Sequence, residues 1–332
     1  MPSSGSLMET ALRAVCEACA VAREVQQSLG AIERLTKRDF SPVTIADFAV
    51  QALIALHLAE ELGGLTLVGE ETAADLQGPA SAPLLAALVT AVQRVRPQLD
   101  RAAVLAAVDL GSHDATGVAY WTLDPIDGTK GFLRGGQYAI SLAYIERGEV
   151  LMGVLGCPNL GADFNRAFND PDPVGTVFFA ERGGGAYSQS ATALVTPHRI
   201  QVAPDRNPRN MRVCESVEAA HSRQDETQQI TQYLKSDGQP VRLDSQCKYA
   251  VVARGQADAY IRLPTRADYV EKIWDHAAGM LVAQEAGARV TDINGKPLDF
   301  SLGPTLRANR GIVCAPDPIH AAILAAIRHL FG

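Results

Sequence analysis

The chain has 332 residues, of which 47% are hydrophobic and 20% charged. That length and composition exclude a small stapled fold, a disordered chain and a fibrous one, and they allow two domains or one large α/β unit. Thirty Lys and Arg against 37 Asp and Glu leave a formal charge of −7, so there is no basic footprint for a nucleic-acid polymer or a membrane surface, and an anionic ligand must be caught by a few placed cations.

Leu7 to Leu29 reads as an amphipathic helix with Leu12, Val15, Cys16 and Cys19 on one apolar face. The first residues, MPSSGSLMET, show no basic segment leading into an apolar run, so no secretory signal is expected. Cys16 and Cys19 form a CxxC, yet no second CxxC or histidine pair completes a zinc site, and core packing is the expectation. Cys157, Cys214, Cys247 and Cys314 are spread thinly, unlike a disulfide scaffold, which fits a reducing cytosol. A second helix is expected after Asp47, where Val50, Leu53, Ile54 and Leu58 keep helical spacing and His57 reads as a core histidine. Leu65 to Val68 reads as a buried strand ending at Gly69-Glu70-Glu71. Residues 73–108 are rich in Ala and Leu and suggest helix interrupted by Pro79, Pro83 and Pro97. The longest apolar stretches, Pro83 to Val92 and Ala102 to Leu110, fall short of the roughly 20 residues a membrane span needs.

The period then changes. Tyr120 to Leu123, Ala139 to Ile145, Val150 to Leu155 and Val177 to Ala180 are strand-like, with turns at Arg147-Gly148 and Gly183-Gly184-Gly185. The glycine triplet lacks a following Lys-Ser/Thr, so it reads as a hairpin turn and not a phosphate loop. The polar segment Pro197 to Arg209 is the candidate boundary between domains at 1–205 and 206–332. Beyond it strands (Met211 to Cys214, Ala259 to Leu263, Ala288 to Thr291, Gly311 to Cys314) alternate with helices (Glu226 to Leu234, Cys247 to Ala253, His276 to Ala286, Ile319 to Leu330), which indicates a layered α/β second domain.

Trp121-Thr-Leu-Asp124-Pro-Ile-Asp127-Gly-Thr129 places two carboxylates three residues apart at a strand end, where Pro125 and Gly128 are expected to force a turn. Gly69-Glu70-Glu71 ends another strand, and Trp274-Asp275-His-Ala-Ala-Gly279 opens a helix. Taken singly, Asp47 and Asp275 read equally well as helix N-caps, Glu70 as a solvated loop residue and Thr129 as a turn hydroxyl.

Taken together, these segments resemble the magnesium-dependent, lithium-sensitive phosphatases of the inositol monophosphatase superfamily, whose members share GEE, DPIDGT and WDxAAG in that order. Ser41-Pro-Val-Thr44-Ile-Ala-Asp47, Leu243-Asp-Ser245-Gln-Cys-Lys248-Tyr, Tyr260-Ile-Arg262-Leu-Pro264 and Glu271-Lys-Ile-Trp274-Asp275 resemble the bisphosphate nucleotidases within it, and the similarity runs through nearly the whole chain. The resemblance implies an α/β layered sandwich in αβαβα order, most metal ligands lying in 1–205, and the nucleotide-binding residues and Asp275 in 206–332. It implies two or three Mg²⁺ ions on Glu70, Asp124, Asp127, Asp275 and the carbonyl of Ile126. The chemistry agrees, since crowded carboxylates raise one another's pKa unless cations balance them, and oxygen-only ligands suit Mg²⁺ over zinc. Asp47 is then expected to accept a proton from the Thr129 hydroxyl, which orients the attacking water.

The resemblance also implies substrate contacts from Gly128, Thr129, His221, Ser245, Lys248, Arg262 and Asp275. The family often continues its histidine as HSSH, whereas here the run is His221-Ser222-Arg223-Gln224, without the second histidine. The expected activity is hydrolysis of the 3'-phosphate of adenosine 3',5'-bisphosphate, and of the corresponding 5'-phosphosulfate, in the cytoplasm. The rivals are an inositol polyphosphate 1-phosphatase or inositol monophosphatase, and a catalytically silent nucleotide sensor, against which the presence of both Asp47 and Thr129 argues.

Overall fold

The computed structural model describes residues 4–28, 42–78, 81–193, 196–203, 207–217, 224–264, 266 and 268–332. His221 and Ser41 lie outside them. The first layer is α-helical: α1 (Ser4–Gln27) and α2 (Pro42–Leu62) pack on each other, and α3 (Ala82–Gln93) and α4 (Arg101–Asp109) pack on α2. Beneath them runs a seven-stranded sheet in sequential order: β1 (Leu67–Gly69), β2 (Ala119–Asp127), β3 (Ala139–Glu146), β4 (Glu149–Cys157), β5 (Thr176–Glu181), β6 (Gly185–Ser190) and β7 (His198–Ile200). Only the β1–β2 pair in it is parallel. The short helix α5 (Thr129–Leu133) follows β2.

A second sheet has the order β11-β12-β10-β8-β9, built from β8 (Val213–Glu215), β9 (Val241–Arg242), β10 (Ala259–Arg262), β11 (Arg289–Thr291) and β12 (Ile312–Ala315). Helices α7 (Cys247–Ala253) and α8 (Ala277–Glu285) lie between the sheets, with α8 against β3 to β6 on one side and β11 on the other. Helices α6 (Gln224–Tyr233) and α9 (Asp317–Phe331) cover the outer face. The order of layers is therefore αβαβα, as expected. Three apolar clusters fill the gaps between layers, and the middle one is shared by α7, α8 and both sheets. No helix among the described residues is long and apolar enough to cross a membrane.

Several local expectations are corrected. Helix α2 begins at Pro42, so Asp47 sits in its second turn and is no N-cap. Asp275 precedes His276, which holds the cap position of α8. Pro83 starts α3 instead of interrupting a helix, because its missing N–H costs nothing in a first turn. β2 does not stop at Leu123: it runs through Pro125 to Asp127, and the turn falls on Gly128 alone, at φ 90°. β7 pairs with β6 inside the segment expected to be a linker, and β6 and β9 carried no apolar signal, being polar or two residues long. Among the cysteines, Cys19 is buried with Cys16 half-exposed beside it, all six are free, and His57 holds Glu17 at 3.2 Å.

The middle helical layer sits unusually close to the first sheet. A Cβ added at Gly153 on β4 would lie 2.9 Å from the Ala278 carbonyl oxygen of α8, and both atoms belong to regular elements that cannot yield separately. Gly153→Ala should therefore cost about 1 to 3 kcal/mol, read as a lowered midpoint in urea unfolding; an unchanged midpoint would mean that α8 is not seated this tightly.

Candidate active site

The parallel pairing of β1 with β2 builds the centre. Leu67, Val68 and Gly69 stand beside Trp121, Thr122 and Leu123, so the next residues, Glu70 and Asp124, emerge side by side, and their carboxyl groups come within hydrogen-bonding reach. One step on, Asp124 pairs with Ser141 and Asp127 with Ala139, so Pro125 and Ile126 together oppose Ile140. This is a β-bulge, the place where a strand tolerates proline and where side chains are re-aimed next to active sites. It takes the backbone of Ile126 out of the ladder and turns Asp127 toward the crevice. Asp275 arrives from the second half, held because the Trp274 carbonyl accepts from Ser141 Oγ at 3.1 Å and from Gln246 Nε2 at 2.9 Å.

Burial is the largest cause of every shift in this cluster. It raises Glu70 to about 7, with Asp275 and Glu71 adding repulsion. It raises Asp127 to about 6, against the pull of Lys248 and the Gln246 N–H. Asp124 and Asp275 are raised as well, the first with added repulsion from Glu70, Asp127 and Asp275. Asp124 Oδ1 is buried with no hydrogen-bond partner among the described residues. A buried anionic oxygen without a donor, among like charges, is costly unless a cation meets it, and an all-oxygen donor set suits a hard divalent ion. The residues present fit such a metal. Glu271, Asp275 and His276 also bring ligand atoms within 4.8 Å of one another.

Asp47 is buried on α2, and burial first, then Glu71 and Glu70, push its carboxyl well above the usual range. Thr129 is exposed on α5 and faces the cavity. The two helices touch, but no hydrogen bond joins Asp47 to Thr129 among the described residues.

A cavity of about 320 Å³ connects the carboxylates with the cationic residues: Asp127 and Asp275 line it together with Ser245, Lys248 and Arg262, and Gly128 and Thr129 complete one wall. A Cβ on Gly128 would stand 2.8 Å from Ser245 Cβ, so only glycine lets the end of β2 approach this loop. Ser245 itself adopts a left-handed backbone, φ 68°, a strain of about 1 kcal/mol that concentrates at functional sites. Lys248 is buried beneath the Tyr260 ring, its Nζ donating to the Ser245 carbonyl at 3.3 Å. Burial lowers its pKa, and Asp127 and Asp244 oppose that. Arg262 Nε and Nη2 donate to Glu271 and Tyr269.

Two glutamines escaped the sequence reading. Gln51, fully buried, donates to the carbonyls of Glu71 (2.7 Å) and Val108 (3.0 Å) and accepts from the Glu71 N–H (3.1 Å), tying the helix of Asp47 to the strand of Glu70. Gln246 gives its backbone N–H to Asp127 Oδ2, while its side chain holds the Trp274 carbonyl and the Gly279 N–H. The available signal was a glutamine inside the apolar run Val50 to Leu58 and another between Ser245 and Lys248.

A crevice of buried carboxylates between two sheets of an αβαβα sandwich defines a site able to hold metal ions. Residues 6–330 match the model of the inositol monophosphatase family, and the chain belongs to that family. It is 40% identical over 302 residues to a 3'(2'),5'-bisphosphate nucleotidase of Schizosaccharomyces pombe, covering 88% of this chain and 85% of that protein. It is 39% identical to 3'(2'),5'-bisphosphate nucleotidase 1 of Arabidopsis thaliana, covering 97% and 95%. Among solved structures, Mycobacterium tuberculosis SuhB superposes with a TM-score of 0.62 at 21% identity, covering 100% of this chain and 99% of that one, a likeness of fold.

With its pKa raised from the 4.5 of a free glutamate to about 7, Glu70 keeps its proton in the folded chain across a window where the unfolded chain has lost it, so stability falls as pH rises through that window. Asp124 and Asp127 act in the same direction. In chelator, Asp124→Asn should therefore raise the melting temperature at pH 8 by about 2 to 6 °C and by much less at pH 4.5. A lower melting temperature at pH 8 would show that the carboxylates are not crowded without a cation.

Proposed function

We propose that this chain is a cation-dependent phosphatase that removes the 3'-phosphate of adenosine 3',5'-bisphosphate, giving AMP and phosphate, and that it acts likewise on 3'-phosphoadenosine 5'-phosphosulfate. The observation that carries the reading is a single cavity lined by both carboxylates, Asp127 and Asp275, and cations, Lys248 and Arg262. A phosphate monoester needs only the carboxylates and the cations they would hold, whereas a bisphosphate also needs Lys248 and Arg262. The names of relatives 39 to 40% identical support the same substrate. Six free thiols favour a reducing compartment such as the cytosol.

Glu70, Asp124, Asp127 and Asp275, with the Ile126 carbonyl, would hold two or three Mg²⁺ ions. When bound, Mg²⁺ neutralises phosphate charge and makes water a better nucleophile. A small monovalent cation such as Li⁺ competing for the same oxygens accounts for the lithium sensitivity that we include in the proposal. The Thr129 hydroxyl orients the attacking water, taking its proton while handing its own to Asp47; Asp47 acts here as the carboxylate, which nearby bound cations would favour against the effect of burial and of Glu71 and Glu70. The P–O3' bond breaks as the new P–O bond forms, the departing 3'-oxygen takes a proton from a second water to become the 3'-hydroxyl, and backbone N–H groups of Gly128 and Thr129 are directed to the transferred phosphate. Ser245, Lys248 and Arg262, with His221, bind the other phosphate and the nucleoside, and Asp275 faces the sugar as well as the cations.

Phosphate release measured on adenosine 3',5'-bisphosphate, inositol phosphates and fructose 1,6-bisphosphate, with and without Mg²⁺, tests the reading. Fast turnover of the first, only with Mg²⁺, is the expected outcome. Preference for an inositol phosphate overturns the substrate, and full turnover in chelator overturns the cation. Thr129→Val and Asp47→Asn should each depress kcat by about 10² or more with little change in nucleotide affinity; normal kcat with lost affinity would make both binding residues.

A further inference from the structure

An arginine side chain has many rotamers, so it recognises a phosphate selectively only when other groups fix its plane beforehand. At Arg262 those groups form a line that leaves the cavity. Nε donates to Glu271 Oε1 at 2.9 Å and Nη2 to the Tyr269 hydroxyl at 3.2 Å. Glu271 is buried, and its second oxygen meets His276 Nε2 at 3.2 Å. His276 is fully buried, and its Nδ1 meets the Tyr249 hydroxyl at 3.0 Å. A carboxylate can only accept, so Nε2 carries the hydrogen; in the neutral imidazole Nδ1 then accepts and the Tyr249 hydroxyl donates. One neutral imidazole satisfies every group along the line.

The placement of these residues argues against two simpler roles. Arg262 lines the cavity, whereas Tyr249, His276 and Glu271 do not, so none of the three is placed to touch a substrate. Glu271, Asp275 and His276 cluster closely enough to suggest a metal, but both Glu271 oxygens are taken by Arg262 and His276, which leaves Asp275 alone to face cations. Arg262 lines the cavity beside Tyr260, whose hydroxyl lies within hydrogen-bonding reach of it, so Glu271 and Tyr269 fix the guanidinium at the place where it would meet a ligand.

We propose that Glu271 is a positioning residue for Arg262, itself locked by His276 and Tyr249, and that this buried relay sets selectivity for a substrate bearing a second phosphate. The proposal rests on the bisphosphate reading above and adds to it the residues that fix the phosphate-reading arginine. A residue that acts through Arg262 should matter only while Arg262 is present and only for substrates that Arg262 contacts.

The test compares kcat and KM on adenosine 3',5'-bisphosphate and adenosine 3'-monophosphate for the wild type, Arg262→Ala, Glu271→Gln, Tyr249→Phe and the Arg262→Ala/Glu271→Gln double variant, with folding checked by circular dichroism. Arg262→Ala should lower kcat/KM for the bisphosphate by about 10 to 150-fold, mostly through KM, and for the monophosphate much less. Glu271→Gln should show the same selectivity at roughly 5 to 30-fold, Tyr249→Phe at roughly 2 to 5-fold, and the double variant should fall within about twofold of Arg262→Ala. Equal losses on both substrates, or losses that multiply in the double variant, would overturn the proposal and make Glu271 a support of Asp275. Should Glu271→Gln not fold, Tyr249→Phe decides: a bisphosphate-selective loss upholds the relay, and an unselective or absent loss overturns it. A wild type that does not prefer the bisphosphate overturns the substrate reading and the selectivity role with it, while the double-variant cycle on the monophosphate still reads whether Glu271 acts through Arg262.

Discussion

Like charges held in a buried crevice are the constraint around which the rest of the molecule is arranged. Glu70, Asp124, Asp127 and Asp275 come from the ends of β1 and β2 and the approach to α8; burial raises the pKa of every one of them, and for Glu70, Asp124 and Asp127 the neighbouring carboxylates raise it further. Folding brings them together at a cost, because each would be better solvated apart. The surrounding structure must therefore overdetermine their positions, since the contact between Glu70 and Asp124 is the one attraction between these four carboxyl groups and the rest is repulsion. The bulge at Pro125 and Ile126 and the close β1–β2 register do this along the strands.

Across the strands the work falls to amides. A glutamine can donate and accept without adding charge, which makes it the right residue to grip backbone beside an anionic cluster. Gln51 fastens α2 to the Glu70-Glu71 segment, so the buried base candidate Asp47 and the carboxylate strand keep a fixed separation. Gln246 joins Asp127 in the first sheet to the Trp274-Asp275 segment leading into α8. The helical layer common to both sheets thus carries the geometry of the site from one half of the molecule to the other, and the tight seat of α8 on Gly153 keeps that layer from drifting.

What could be read from the sequence follows from range. Helices and central strands announce themselves through apolar spacing a few residues long, which is why α7 was legible to the residue and β3, β4 and β10 nearly so. β6, β7 and β9 are polar, exposed or very short, and exist because a neighbour offers a ladder. Pro125 suggested a strand end because proline cannot donate, yet a bulge removes the need for that donor. The carboxylates were legible because their motifs are compact. Partners supplied from far along the chain were not: nothing near Arg262 states that Glu271 will hold its Nε, or that Tyr249 will close the line behind His276.

An acidic chain that must bind an anion resolves the conflict locally. Its net charge of −7 repels a bisphosphate at long range, but screening confines that field to about 8 to 10 Å at physiological salt. Within the cavity the balance is different. Lys248 and Arg262 line it together; Arg262 is paired with Glu271, which it shares with His276, and Asp244, which lies near Lys248, is paired with Arg134. Burial lowers Lys248, while Asp127 and Asp244 sustain its charge. The cationic side chains of the cavity are thus held in place by the same acidic residues that make the chain negative overall, and charge that is unfavourable in sum becomes the means of fixing the two cations that matter.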